Sequence, residues 1–409
     1  MRKIRGININ ERNIMAKHGW REIFLIGIVY ISFISLGLPD GLQGVTWPSM
    51  MDFFKVPIDS LGVLLFAGTA GYLLTSFFSG RLIAVFGIGF LLAASCAVTG
   101  AALLGYAFAP DFITIAVLAL IVGLAGGAID AGLNAYAAEN FSKRVMQWLH
   151  ASYGLGVMLG PVIMVYFINM SNSWKSAYAA SGILQILMAI IFFCTVRMWK
   201  GSRGAPDSVQ DAEPIKNTII KPSSWINMLL FFIVSGAEAG VGIWAYTFLT
   251  EARGIAHSPA AFVAGAFWAA YTFGRVIAGA FSKYIKTYRL IYLCLVGALF
   301  GTALIWAGIN TAADFTGVIL SGLFIGPIFP ALVSGTKKRV GGHHAFNMVG
   351  MQMAASGLGY AVLPGIAGIA ARHWGLETLP LFIACLLAFS AVLYRILYYF
   401  MPGHILDKH

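Results

Sequence analysis

Apolar runs of about twenty residues follow one another along almost the whole chain, FLIGIVYISFISLGL (24–38) and LIYLCLVGALFGTALIWAG (290–308) among their longest stretches, with short charged tethers between. A hydrocarbon core roughly 30 Å thick is crossed by about 20 helical residues at 1.5 Å each, so runs of this length read as membrane spans. Period-two alternation is absent from them. The spans are therefore helices rather than barrel strands, because a lipid-exposed segment must satisfy its own backbone. With 59% of its 409 residues hydrophobic and 11% charged, the chain cannot clothe a single core in a polar skin as a water-soluble domain does.

Twelve spans are expected, at 20–50, 58–80, 87–108, 112–138, 148–170, 175–197, 225–250, 259–282, 289–309, 313–336, 344–371 and 376–401. The basic segment MRKIRGININERNIMAK leads into a run long enough to span, with no small-residue cleavage site after it, so it reads as the start of an uncleaved first helix. The net charge of +11 sits in the tethers and not on one face of a soluble fold, which argues against nucleic acid as a partner. If the N-terminus is cytoplasmic, cytoplasmic segments hold 22 of the 27 Lys and Arg residues. Lys55, Lys175, Arg253 and Arg372 fall outside, and Arg275 alone lies within a span. This skew predicts a multi-pass protein of the cell membrane with both termini in the cytoplasm. Cys96, Cys194, Cys294 and Cys385 each fall in a different span without CxxC spacing, and read as apolar filling rather than metal ligands or disulfides. No cofactor is expected, and a monomer is.

The one long hydrophilic break, 198–224, divides the chain into six-span halves at 1–197 and 225–409. The halves repeat. At an offset of 203 Gly71 falls on Gly274, Phe78 on Phe281, Gly154-Leu155-Gly156 on Gly357-Leu358-Gly359 and Pro161 on Pro364. The fold class is thus an all-α membrane protein of two pseudo-symmetric six-helix halves, the major facilitator architecture, with its site expected near the midplane between them. Glycine-rich runs such as GLAGGAIDAG (123–132) and GLGVMLGP (154–161) are expected to let helices approach and slide, or simply to pack them.

A charge at the bilayer centre costs about 2.5–3.5 kcal/mol on insertion scales, so each intramembrane charge is a functional candidate. The candidates are Asp40, Asp130, Glu238 and Arg275, with His150 near the inner end of span 5. Asp40 shares a stripe with Gln43, Gly44 and Trp47, beside Pro39, which weakens the helix ladder and could present backbone groups to a cavity; the alternative is a carboxylate capping a broken helix. Asp130 and Asn134 lie one turn apart, suiting a proton carrier or an interhelical hydrogen bond. Glu238 and Arg275, on consecutive spans, could pair. Trp268, Tyr271, Thr272 and Arg275 share a face that offers aromatic surface to a ligand, or packs. His150 with Tyr153, and Asn347 with Gln352 in the other half, are neutral hydrogen-bonding groups suited to a hydroxyl-rich ligand. His343 and His344 read as solvated residues of a cytoplasmic loop. No P-loop, HExxH or Ser-His-Asp arrangement is present, so neither an enzyme nor an ATP-driven pump is expected.

The segments GGAIDAGLNAYAAENF (126–141), WLHASYGLGVMLGP (148–161), GAEAGVGIWAYTFL (236–249), FWAAYTFGRVIAG (267–279) and GPIFPALVSGTKKR (326–339) resemble the fucose/proton symporter family of the major facilitator superfamily. The resemblance implies that Asp130, with Asn134 four residues on, takes part in proton coupling and sugar binding. The family's helix 1 acid would fall at Gly44, so Asp40 is displaced by one turn. Of the superfamily's gating motif after helix 2, FFSGRLIAVFG keeps Gly80 and Arg81 and lacks the Asp. Gly156-xxx-Gly160-Pro161 partly resembles the helix 5 motif of drug/proton antiporters.

The expected function is proton-coupled import of a small neutral polar solute, foremost a monosaccharide. In it Asp130 carries the proton, Asp40 and Glu238 assist coupling, and Arg275 and Arg81 act in gating; Asn134, Gln43, Trp47, His150, Tyr153, Trp268, Tyr271, Asn347 and Gln352 serve the substrate. The alternative is a multidrug or metabolite/proton antiporter. Sodium could replace the proton at Asp40, and a non-transporting sensor or a lipid flippase are further readings. The expected partners are the solute, protons and the bilayer.

Overall fold

The computed structural model describes residues 19–141, 143–199, 215–281 and 284–399. Among these, twelve helical segments are long and apolar enough to cross a membrane. We number the main helices α1 (Trp20–Phe54), α2 (Leu61–Phe86), α3 (Ile88–Phe108), α4 (Phe112–Asn140), α5 (Lys143–Ser171) and α6 (Lys175–Thr195). After the linker, mostly outside the described residues, come α7 (Pro222–Thr247), α8 (His257–Phe281), α9 (Thr287–Ala307), α10 (Thr311–Ile325), α11 (Gly342–Trp374) and α12 (Thr378–Tyr399). The side of the bundle holding Trp20 and Tyr399 is called proximal, the other distal.

The helices match the expected spans to within a few residues, and the differences have local causes. The tenth crossing is interrupted at Gly326-Pro327 and resumes as Ile328–Ser334, because Pro327 has no N–H for the carbonyl one turn back. The seventh ends in a π turn over Phe248–Ala252. The linker, expected as a plain hydrophilic break, contains a helix at Ile215–Ile219, and α7 starts at Pro222 because proline suits a first helical turn. His344 corrects its expectation. It lies in the first turn of α11, half-buried, with Nδ1 3.0 Å from the Thr218 hydroxyl on that short helix. The side chain of His343 lies outside the described residues.

Packing largely follows the sequence repeat. α1 pairs with α5, α2 with α4 and α3 with α6; α7 pairs with α11 and α8 with α10, while α9 packs against α10 more closely than against α12. Glycine sets the closest of these approaches. A Cβ on Gly123 would sit 1.9 Å from the Gly68 carbonyl oxygen, and one on Gly359 would sit 1.9 Å from that of Phe232. The glycine runs therefore mainly make tight pairs inside each half. The halves meet through α1 with α7, α2 with α11 and α5 with α8. On the distal side Gly62 faces Gly365, a Cβ on the first lying 3.0 Å from the second's Cα, and Arg372 Nη1 is 3.3 Å from Asp59 Oδ2.

Candidate functional site

Two carboxylates face one cavity of about 460 Å³, within the roughly 300–1,000 Å³ usual for small-molecule sites. The cavity follows α1 from Phe33 to Met50, and its wall comes from α1–α6 except for Ser356, Gly357 and Tyr360 of α11. His150, on the proximal half of α5, lines it and is exposed. Each acid is held by a tyrosine from the helix packed against its own. Tyr153 Oη on α5 donates to Asp40 Oδ2 on α1 at 2.5 Å, and Tyr72 Oη on α2 donates to Asp130 Oδ2 on α4 at 2.5 Å. Asn134 Nδ2 donates to the other Asp130 oxygen at 2.9 Å. The glycine pairs set this geometry: a Cβ on Gly37 would lie 2.4 Å from the Tyr153 carbonyl, and one on Gly127 would lie 2.5 Å from that of Tyr72. Close backbones bring phenol and carboxylate within reach. Hydrogen bonds to an ionised acceptor are about twice as strong as neutral ones.

The displacement of the helix 1 acid has a steric reason. At Gly44 a Cβ would come within 2.6 Å of the Ile243 carbonyl on α7, so no side chain fits there. One turn earlier, Asp40 is open to the cavity. The proline beside it acts otherwise than expected. α1 runs through Pro39 unbroken, and the Ser35 carbonyl, which a prolyl nitrogen cannot serve, accepts instead from Gln185 Nε2 of α6 at 3.0 Å. The backbone polarity is thus met by a side chain and not presented to the cavity.

Of the other candidates, Gln43, His150 and Tyr153 line the cavity, and Asn134 lies at its edge on Asp130. Four lie elsewhere. Trp47 is fully buried and its indole donates to the Ile58 carbonyl at 3.0 Å, tying α1 to the turn before α2. Trp268 and Tyr271 are buried against Phe267 and each other, Trp268 also filling the space over Gly242 of α7. Gln352 belongs to a buried proximal network, accepting from the Thr336 hydroxyl at 3.0 Å beside Asn227, which accepts from Arg339 Nε at 2.8 Å. These face packed neighbours because their stripes coincide with interhelical contacts. Asn347 is half-buried near the proximal start of α11, and Arg81 is exposed near the end of α2, both outside the cavity wall.

Glu238 and Arg275 make no direct ion pair among the described residues. Arg275 Nη2 donates to the Tyr271 hydroxyl and Nε to the Gly326 carbonyl at 3.0 Å, and the guanidinium lies 4.2 Å from the Tyr271 ring centroid. In place of the expected pair, Arg275 is met by a phenol and a backbone carbonyl. Sequence reasoning missed Tyr72, Tyr360, Thr99 and Gln185 in the cavity wall. Gln185 had a signal, since an amide inside the run ILQILMAIIFFC is a polar group in hydrocarbon.

The Major Facilitator Superfamily model matches residues 29–346. The chain is 23% identical to "Bypass of stop codon protein 6" of Saccharomyces cerevisiae, over 91% of this chain and 82% of that one. It is 25% identical to human "Sodium-dependent glucose transporter 1", over 83% and 72%. Among solved structures, a bacterial homolog of the human lysosomal transporter Spinster, inward-facing and unoccupied, superposes with a TM-score of 0.79 at 12% identity, covering 94% of this chain and 98% of that one. Twelve crossings, an internal repeat, acids facing a central cavity and a family match over most of the length converge: the chain belongs to the major facilitator superfamily and is a multi-pass membrane transporter, not an enzyme.

Proposed function

We propose that this protein imports a small neutral polar solute, a monosaccharide in the first instance, coupled to protons across the cell membrane, with its proximal side and both termini in the cytoplasm. The observation that carries the reading is the pair of tyrosine-held carboxylates, Asp40 and Asp130, in one solute-sized cavity. An acid that exchanges its proton as water access alternates couples the two fluxes, and neutral hydroxyl and amide groups around it suit a sugar better than an ion. The name of the human relative supports a sugar, and the skew of Lys and Arg supports the orientation. Asp130 carries the proton and Asp40 assists, while Glu238 with Arg275 biases the rocking of residues 1–197 against 225–409. The test is reconstitution in liposomes with a trapped pH dye and a panel of monosaccharides, comparing wild type with Asp130→Asn. Sugar-dependent proton entry that the variant loses is the expected result. Proton movement in the opposite sense on adding lipophilic cations, with none on adding sugars, replaces this reading with the antiporter.

A second reading substitutes sodium. The human relative is named sodium-dependent, and Asn134 Oδ1 is buried without a partner beside Asp130, an oxygen of the kind hard cations take. Uptake at clamped pH that disappears when choline replaces sodium selects it.

A further inference from the structure

The two halves are unequally represented in the cavity. The first supplies both acids and most of the wall, whereas the second reaches it, among the described residues, only through Ser356, Gly357 and Tyr360 of α11. These three are not equivalent. Ser356 already shares a hydrogen bond with the Ser235 hydroxyl of α7 at 2.6 Å, and Gly357 has no side chain. Tyr360 is half-buried, and its hydroxyl makes no hydrogen bond to a described residue. The Gln43 amide on the α1 wall is likewise unengaged among the described residues.

A ligand shifts an equilibrium only by the difference in its affinity for the two states. A solute bound to the first half alone travels with it and favours neither arrangement of the halves. To bias them it must also bond to the second half, and Tyr360 brings the free hydroxyl for that bond. The same helix closes the distal side. Beyond Tyr360 on α11 come Gly365, against Gly62, and Gly368, where a Cβ would lie 3.2 Å from Asp59 Cα; Arg372 then meets the Asp59 carboxylate. From Tyr360 to Arg372 is about 18 Å at 1.5 Å per residue. α11 is unbroken over this stretch, and the Trp244 indole of α7 braces it at Pro364 by donating to the prolyl carbonyl at 3.0 Å. Cavity and distal seal therefore share one continuous helix.

We propose that Tyr360 is the second half's contact with the solute, and that a solute hydrogen-bonded to it and to the first-half wall holds the distal ends together. This rests on the reading of the cavity as the solute site. The direction follows from the arrangement: Tyr360 faces the same cavity as Asp40 and Asp130 while the distal ends touch, so the bridging bond is available in the distal-closed state and favours it.

The test is amide exchange, read by mass spectrometry on the full chain in lipid nanodiscs, with and without saturating glucose or fucose, once the binding of each has been measured. In wild type a bound sugar should slow exchange in peptides spanning 57–62 and 365–374 by about two- to ten-fold, the worth of one net hydrogen bond. Tyr360→Phe keeps the ring and removes the hydroxyl. Sugar should still bind to it, no more than about ten-fold more weakly, yet at saturation should no longer slow distal exchange. The ratio with and without sugar is taken within each protein, so a general loosening caused by the substitution cancels. Protection that persists in Tyr360→Phe overturns the proposal and leaves the transport reading standing. So does a bound sugar that leaves wild-type distal exchange unchanged or makes it faster. If neither sugar binds but uridine does, the sugar reading fails and Tyr360 is judged by the same comparison with uridine; if none binds, both fail.

Discussion

At Asp40 and Asp130 the second partner matters as much as the acid. A charged group inside hydrocarbon is conspicuous in any sequence, so the carboxylates were legible from their cost alone. Their tyrosines were not, because Tyr72 and Tyr153 stand 58 and 113 residues away from the groups they serve, and only helix pairing joins them. The same limit misplaced Trp47 and Gln352: a polar tip on a promising stripe meets whichever neighbour the packing supplies, here the Ile58 carbonyl and the Thr336 hydroxyl. Tyr153→Phe keeps the ring and removes the bond to Asp40. Hydrogen bonds to charged groups are worth about 1.5–3 kcal/mol, so solute-driven flux should fall roughly ten-fold or more while the melting temperature hardly moves. Flux within two-fold of wild type, on the order of measurement scatter beside that figure, would leave the phenol without a role.

Element boundaries follow hydropathy closely because the bilayer dictates length, whereas the breaks do not, being settled by single residues such as Pro327 or by contacts such as that between Thr218 and His344. Two predictions belong here. A Cβ on Gly123 has 1.9 Å to the Gly68 oxygen, so Gly123→Ala must push α2 from α4. Overpacking of this kind costs about 1–3 kcal/mol, and because that pair sets the Tyr72–Asp130 distance, a lowered melting temperature should come with lost coupling. The second concerns Asp111, whose carboxylate accepts from the Thr114 amide at 2.7 Å and caps α4. The backbone bond to Thr114 holds its pKa below the usual carboxylate value. A depressed folded pKa means that the contribution is present above the unfolded value and is lost as pH falls through the folded one. Amide exchange at the start of α4 should therefore quicken with acid beyond the intrinsic change in wild type. It should lack that pH dependence in Asp111→Asn, which still caps.

For the molecule as a whole, twelve crossings and an internal repeat could be read from the sequence, but not which ends of the halves touch, since no local pattern records a contact between residues three hundred positions apart. Here the distal ends meet, at Gly62 with Gly365 and at Asp59 with Arg372. A rocking transporter must part them in each cycle. The double variant Gly62→Cys with Gly365→Cys should form a disulfide on mild oxidation and stop uptake, and reductant should restore it, as followed in liposomes. Uptake that continues with the bridge formed would show that these ends need not separate.

The cavity wall belongs almost entirely to α1–α6, with three residues from α11. If the cargo binds in that cavity, the two halves of the repeat do unequal labour: the first is the carriage in which it rides, and the second is the door that swings past it. Selectivity and release then become separately heritable. A chimera that keeps residues 1–197 and borrows its second half from a cousin should keep its taste for cargo and change only the pace of delivery.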